Sequence, residues 1–184
     1  MQTRVAYAKM DAMRSETNKE KILSFMDALA ERSRGSGRIY LTGGASALLL
    51  GWREMTIDVD VKADPEPERF FEAIADLKDS LDINIELASP DLFLPELPGW
   101  RERSMFIKRM RDIEYFHYDF YAQALSKIAR SHARDIVDVE AMCERGLVEK
   151  ARLRELFEEI RPKLVRFPSI DAATLTKTVY DFCA

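Results

Sequence analysis

The amino-acid sequence predicts an α+β fold, because strand-like and helix-like segments alternate in its first two thirds and only helix-like segments follow. In the first part, several short segments alternate apolar and polar residues, as half-buried strands do. From residue 119 onward, apolar residues recur every three or four positions, as in amphipathic helices. We therefore expect a mixed β-sheet flanked by helices, with an N-terminal helix before it and a C-terminal helical region after it.

Five segments predict strands. The alternation is strictest in TIDVDVKA, residues 56–63. The other predicted strands are residues 38–42, 83–87, 104–110 and 113–118. We expect the last two to form an antiparallel hairpin, because they flank a short polar turn.

The helices are predicted from apolar spacing and from their end signals. Thr17 and Glu20 form a capping-box pair at the start of the first helix, which should end before Gly35. Further helices are predicted at residues 45–52, 66–81, 119–132, 135–144, 148–161 and 169–182. Residues 89–100 form a proline-rich loop, whose apolar side chains should pack onto the domain: Phe93, Leu94, Leu97 and Trp100.

Length and composition restrict the class of protein. A chain of 184 residues fits a core unit at residues 1–118 with a helical region at 119–184 packed on it. The net charge of −4 argues against a protein coated in positive charge for duplex nucleic acid. The basic segment 101–111 could still contact phosphate, and the alternative is a solvated hairpin face. Two cysteines without metal-ligand spacing, a charged start and no long apolar segment favour a cytoplasmic protein with no membrane span.

Two aspartates in the strand at 56–63 are the first candidate site residues. Asp58 and Asp60 share one face of the strand because side chains alternate. Two like charges on one face repel each other unless a cation compensates, and Mg²⁺ typically binds one or two carboxylates together with water and substrate phosphates. The pair therefore indicates phosphoryl or nucleotidyl transfer with Mg²⁺ or Mn²⁺. The alternative is a solvated sheet face.

A third acid can join this face from a neighbouring strand. In residues 83–87, Glu86 and Asn84 point away from the apolar side chains, so an adjacent strand could bring Glu86 beside Asp60. Three acids suffice for a site with two metal ions. Glu114, in the predicted hairpin, is a rival for the third position.

A glycine pair precedes the two aspartates, between a strand and a helix. Gly43 and Gly44 would let backbone N–H groups approach a phosphate, and the Ser46 hydroxyl could add a donor. The alternative is a tight turn with close packing of strand on helix. Thr56 and Arg53 lie just before the aspartates and are further candidates for nucleotide binding. Arg53 could pair with the aspartates or with a phosphate, and the alternative is a surface arginine.

These residues together resemble the signature of the DNA polymerase β-like nucleotidyltransferase superfamily. The match consists of LTGG, a spacer of thirteen residues, DVDV and the later IEL. The resemblance implies that Asp58 and Asp60 are metal ligands, that Glu86 is the third catalytic carboxylate and metal ligand, and that the two glycines form the triphosphate turn.

The helical part resembles bacterial nucleotidyltransferases related to the AbiEii abortive-infection toxins. The similar segment is DFYAQALSKIARSHARDIVDV, residues 119–139. The resemblance implies that Lys127 reaches the nucleotide and that Arg134, Asp135 and Asp138 brace the site. From the residues alone, Asp135 could instead cap the next helix and Asp138 could lie in its first turn.

Two functions are therefore expected as competing hypotheses. The first is a Mg²⁺-dependent nucleotidyltransferase that moves an NMP from an NTP to a hydroxyl of a tRNA-like or protein acceptor, as part of a toxin–antitoxin pair. The second is a non-catalytic binding or regulatory module of the same fold, such as an antitoxin, in which the acids are structural or nucleotide-sensing residues. A toxin or antitoxin partner is expected in either case. Transfer of label from an NTP distinguishes the two.

Overall fold

The computed structural model describes residues 16–184, in which five strands form one mixed sheet. The first fifteen residues of the predicted unit 1–118 lie outside the described part. The strands are β1 (Gly37–Thr42), β2 (Asp58–Ala63), β3 (Asn84–Glu86), β4 (Met105–Met110) and β5 (Ile113–His117). Their order in the sheet is β3-β2-β1-β5-β4, and helices flank the sheet, so the α+β prediction is confirmed.

Pairing in the sheet is both parallel and antiparallel. Strand β1 is antiparallel to β2 and parallel to β5, while β2 is parallel to β3. Strands β4 and β5 form the predicted antiparallel hairpin. The register sets Asp60 opposite Thr42 on one side and opposite Glu86 on the other.

Eight α-helices lie in the described residues. They are α1 (Lys19–Arg32), α2 (Gly43–Leu49), α3 (Phe70–Ser80), α4 (Trp100–Arg103), α5 (Phe120–Arg130), α6 (Ala133–Glu144), α7 (Lys150–Ile160) and α8 (Ala172–Cys183). Short 3₁₀ helices cover Pro90–Leu92 and Arg161–Arg166. None of the helices in residues 16–184 is long and apolar enough to cross a membrane.

The first helix begins differently from the prediction. Asn18 is its N-cap, and the Asn18 side chain accepts a hydrogen bond of 2.9 Å from the Lys21 backbone N–H. Thr17 instead pairs its backbone with Thr56, donating to the Thr56 carbonyl at 2.7 Å. The capping-box prediction is therefore wrong, because Thr17 is held in an extended pairing just before the helix.

Two hydrophobic clusters cover the two faces of the sheet. One cluster joins the sheet to α1, α2 and α3 and includes Val59, Val61 and Ile85. The other contains Tyr40 and Tyr118 and joins the sheet to the C-terminal helices α5 to α8. Because side chains alternate along a strand, the two aspartates of β2 face the side on which α5 packs.

Two large apolar side chains, Ile57 and Phe93, are exposed, and Phe93 was predicted to be buried. Ile57 is 55% exposed because β2 begins only at Asp58, so it does not share the buried face of Val59. In the proline-rich loop, Leu94, Leu97 and Trp100 are buried as predicted, whereas Phe93 is 51% exposed. The expectation that Phe93 packs into the core is wrong.

Candidate active site

A cavity of about 110 Å³ lies between the sheet and helix α5. The strand β2 contributes Asp60 to its wall and β3 contributes Glu86. Thr42 and Gly43 line it at the turn from β1 to α2, and the segment after β3 and helix α5 complete it. These further lining residues are Ala88, Ser89, Pro90, Phe93, Gln123, Ser126, Lys127 and Arg130.

The sheet brings the predicted acids to one face. Asp60 and Glu86 are register partners in neighbouring parallel strands, as the alternation predicted. Asp58 is linked to them through Asn84, whose amide donates to Asp58 Oδ1 at 2.5 Å and to Glu86 Oε1 at 3.3 Å. The rival acid, Glu114, lies on β5 and accepts from Arg38 at 3.2 Å, so it is not part of this cavity.

The environment of Asp60 favours a cation. Burial, together with the negative charges of Glu86 and Asp58, raises the pKa of Asp60 to about 6. The positive charges of Arg130 and Lys127 act in the opposite direction but do not cancel this effect. The negative charge of the ionised Asp60 carboxylate is therefore not fully neutralised by the neighbouring cations, and a bound divalent ion would supply the missing positive charge.

The three carboxylates do not form a closed metal cage. Within the described residues, no group of three or more His, Cys, Asp or Glu side chains is close enough to hold one ion. Thus the expected convergence of Asp58, Asp60 and Glu86 in one coordination shell is not seen, and the Asn84 amide lies between two of them. Mg²⁺ needs only one or two carboxylates when water and phosphate oxygens complete its shell. Asp60 lines the cavity, whereas Asp58 lies on the same face of β2 but does not line it.

Gly43 and Gly44 each occupy a position that excludes a side chain, for different structural reasons. Gly43 has φ of +57°, and a Cβ built there would lie 2.9 Å from Asp60 Oδ2, so a side chain would be strained and would press on the carboxylate. A Cβ on Gly44 would lie 2.1 Å from the Thr56 hydroxyl, which shows close packing of α2 against the start of β2. The Gly43 N–H donates to Gln123 Oε1 at 2.9 Å, so a side chain of α5 closes this turn.

Two predicted hydroxyl contacts are directed into the protein. Ser46 is fully buried, donates to the Leu41 carbonyl at 3.0 Å and lies 2.9 Å from His117 Nδ1. The Thr56 hydroxyl donates to the Asp58 carbonyl at 3.0 Å. Neither residue lines the cavity, so the structure does not place Ser46 or Thr56 where they would contact a nucleotide.

Lys127 reaches the cavity through a buried ionic network. Its Nζ lies 2.6 Å from Asp138 Oδ2 and 3.1 Å from Asp135 Oδ1, and only 4% of the residue is exposed. An ammonium group has three N–H donors, so two contacts leave one for a ligand. Helix α6 is capped at His132, so Asp135 is not its N-cap and the capping alternative is wrong.

Arginines complete this network, but not all of them are the predicted ones. Arg53 donates two hydrogen bonds to Asp138, at 3.0 and 2.5 Å. Arg130 bonds to Asp135 Oδ1 at 3.0 Å and also lines the cavity. Arg134, predicted to belong to the brace, is exposed, and Arg130 contacts Asp135 in its place.

Three site residues that were not predicted, Gln123, Arg130 and Asn84, can be recognised from their spacing in the sequence. Gln123, Lys127 and Arg130 are spaced by four and three positions, so they lie on one face of α5. That spacing could have pointed to Gln123 and Arg130 once Lys127 was chosen. Asn84 shares its strand face with Glu86 by the same alternation that selected Glu86.

The basic hairpin segment lies away from the cavity. Strand β4 is at the opposite edge of the sheet from β3. Three arginines of segment 101–111 form salt bridges within the protein: Arg103 with Asp119 at 2.6 Å, Arg111 with Glu31 at 2.6 Å, and Arg101 with Asp64. A phosphate contact by this segment therefore gains no support from its position.

Comparisons with known proteins identify one family. A family model described as "Nucleotidyltransferase of unknown function (DUF6036)" matches residues 20–179. The matched range includes every residue that lines the cavity. Neither the curated proteins nor the solved structures contain a match to the chain.

Proposed function

Because the chain belongs to this family of nucleotidyltransferases of unknown function, we propose that it transfers an NMP from an NTP to a hydroxyl group in the cavity around Asp60. The observation that carries the proposal is the charge arrangement: carboxylates of β2 and β3 stand opposite Lys127 and Arg130 of α5. Carboxylates can hold a divalent ion while the cations contact the phosphates of the same ligand.

The reaction balances with the groups present. The acceptor hydroxyl oxygen forms a bond to the α-phosphorus, the bond from that phosphorus to the α–β bridging oxygen breaks, and pyrophosphate leaves. The hydroxyl proton passes to a carboxylate, for which Glu86 is the candidate because it lines the cavity and is exposed to an arriving acceptor. No residue of the chain changes its oxidation state or becomes covalently modified.

Asp58 and Asp60 are the residues that would hold Mg²⁺ or Mn²⁺. A bound ion of this kind would polarise the α-phosphate, activate the acceptor hydroxyl and stabilise the leaving oxygen. The burial of Asp60 beside other carboxylates supports this role, since an ion relieves the repulsion among them.

Side chains of α5 and of the loop after β3 would bind the nucleotide. Arg130 is the more available cation, because its side chain is 51% exposed while Lys127 is tied to two aspartates. The exposed ring of Phe93 lines the same cavity and offers a face on which a nucleobase can stack. Arg53 acts at a distance by fixing Asp138.

Several features also favour the second function, a non-catalytic binding or antitoxin-like regulatory module. The Gly43 N–H is already bonded to Gln123, and both aspartates of the network neutralise Lys127. Because these groups are already bonded within the protein, the same fold could serve as a nucleotide sensor or regulatory domain without catalysis. The resemblance to abortive-infection toxins extends the proposal to a toxin–antitoxin pair with a tRNA or protein acceptor.

Transfer of label tests the proposal. The protein is incubated with each NTP labelled at the α-phosphate, with Mg²⁺ or Mn²⁺, and with tRNA or a cell lysate. We expect label on a macromolecule with wild type and none with Asp60→Asn. Absence of label with every nucleotide and acceptor, while the NTP still binds, would favour the non-catalytic module.

A further inference from the structure

Strand β3 stops where β2 continues. The register between them covers Asp58 to Asp60 on β2, and β3 ends at Glu86. Residues 61–63 of β2 pair with β1 on one side only, and no strand within residues 16–184 pairs with them on the other side. An unpaired strand edge can accept hydrogen bonds from an added extended segment.

A groove of about 280 Å³ runs along this free edge. Its floor is formed by Val61, Lys62 and Ala63, and its walls come from α3 and from the segment after β3. Exposed apolar side chains line the walls: Phe71, Leu87 and Leu92, each with about half of its surface or more in contact with solvent. Such a concentration of exposed large apolar side chains is typical of an interaction surface.

The groove lies next to the candidate active site. Ser89 lines both the groove and the cavity that holds Asp60 and Glu86. Leu92 of the groove is followed in the chain by Phe93 of the cavity. An extended segment paired with residues 61–63 of β2 would therefore lie beside the cavity that holds Asp60 and Glu86.

The charge of the groove disfavours a nucleic acid. Among its described lining residues, Lys62 is the one cationic side chain, and it is paired with Asp91 and lies over the Trp100 ring. Glu66 adds a negative charge. A phosphate backbone needs several available cations along its path, whereas an extended peptide needs a strand edge and apolar pockets for alternate side chains.

We propose that this groove binds an extended segment of a protein, which adds to the free edge of β2 and presents a Ser, Thr or Tyr hydroxyl to the cavity as the acceptor of the NMP. The inference rests on the proposed function and selects the protein acceptor over the tRNA. Its chemistry is the transfer given above, with a side-chain oxygen as the attacking atom and pyrophosphate as the leaving group.

A binding experiment tests the groove without requiring catalysis. The probe is a fluorescein-labelled decapeptide of alternating valine and threonine with lysine at both ends, and a single-stranded RNA decamer is the comparison ligand. Fluorescence anisotropy measures both against wild type, Leu92→Glu and Val165→Glu. Leu92 and Val165 are 60% and 85% exposed, so both substitutions should leave the fold intact, and only Leu92 lines the groove.

We expect wild type and Val165→Glu to bind the peptide alike, Leu92→Glu to bind it about tenfold more weakly, and the RNA to bind weakly to all three. The stabilisation by Mg²⁺ and NTP should be the same in all three proteins. Equal peptide binding by both variants, no peptide binding by wild type, or RNA binding that Leu92→Glu abolishes would overturn the inference. Failure of the proposed function is a separate result, because it removes label transfer while peptide binding is unaffected.

Discussion

Replacing Asp60 by asparagine should stabilise the protein in the absence of metal. The substitution preserves the size of the side chain and removes the charge that burial and the neighbouring carboxylates disfavour. A pKa raised from 3.8 to about 6 corresponds to about 3 kcal/mol of lost stability at pH 7, and the partial exposure of Asp60 reduces this to about 1–3 kcal/mol.

The raised pKa of Asp60 determines how the stability difference between wild type and Asp60→Asn changes with pH. Because the pKa of Asp60 is higher in the folded protein than in the unfolded chain, the unfolded chain releases its proton first as the pH rises. Below pH 3.8 both forms are protonated, and wild type and Asp60→Asn should have similar free energies of unfolding. The variant should become the more stable protein as the pH rises through 6.

Urea denaturation in EDTA at pH 4, 5, 6 and 7 measures this difference. Asp112→Asn is the matched control, because Asp112 is exposed and lies outside the cavity. If Asp60→Asn is no more stable than wild type at pH 7, or if its advantage does not grow with pH, the description of Asp60 as a partly buried carboxylate without a neutralising cation is refuted.

The remaining predictions concern a histidine, the cations of α5 and an aromatic ring. Burial lowers the pKa of His117 to about 4, so in the Asp60→Asn background the free energy of unfolding should fall by about 3 kcal/mol as the pH drops from 6.5 to 4. Urea denaturation should show that His117→Gln lacks this slope. Lys127→Ala leaves two buried carboxylates without their shared cation and should lower the free energy of unfolding by about 3–5 kcal/mol, whereas Arg130→Ala should lower it by less than about 1 kcal/mol and mainly weaken NTP binding. Phe93→Ala should keep the melting temperature and weaken NTP binding by about 1–3 kcal/mol in calorimetric titration.

Each of these four predictions can be contradicted by a specific result. An unchanged acid slope in His117→Gln would mean that another group causes it. Equal losses of stability in Lys127→Ala and Arg130→Ala would contradict the burial difference between the two side chains. Unchanged NTP affinity in Phe93→Ala would remove the stacking role from the ring.

The alternation of side chains made much of the site predictable. Period-two spacing is a local property, so it correctly gave the shared face of Asp58 and Asp60, and it gave Glu86 once a neighbouring strand was assumed. Likewise, the alternating segments on either side of Arg111–Asp112 form the predicted hairpin. The parallel pairing of β2 with β3 was not visible in the sequence.

The features that could not be predicted depend on contacts between residues that are distant in the sequence. Thr17 pairs with Thr56 across the fold, which displaced the helix cap to Asn18. Arg130 and Arg134 are equally plausible partners of Asp135 until the packing of α6 on α5 is known. The groove beside β2 depends on β3 ending at Glu86, and residues 83–87 predicted a longer strand.

Ligand-induced stabilisation tests the central claim, that Asp60 helps to hold a divalent ion and an NTP in the cavity. Thermal melts are recorded for wild type and Asp60→Asn, each with EDTA and with Mg²⁺ plus each NTP. Wild type should gain about 2.7 kcal/mol when the ligand is present at a hundredfold excess over its dissociation constant, and Asp60→Asn should gain little. Equal gains in the two proteins, or no gain in wild type with any nucleotide, would contradict the assignment of this cavity as the nucleotide and metal site.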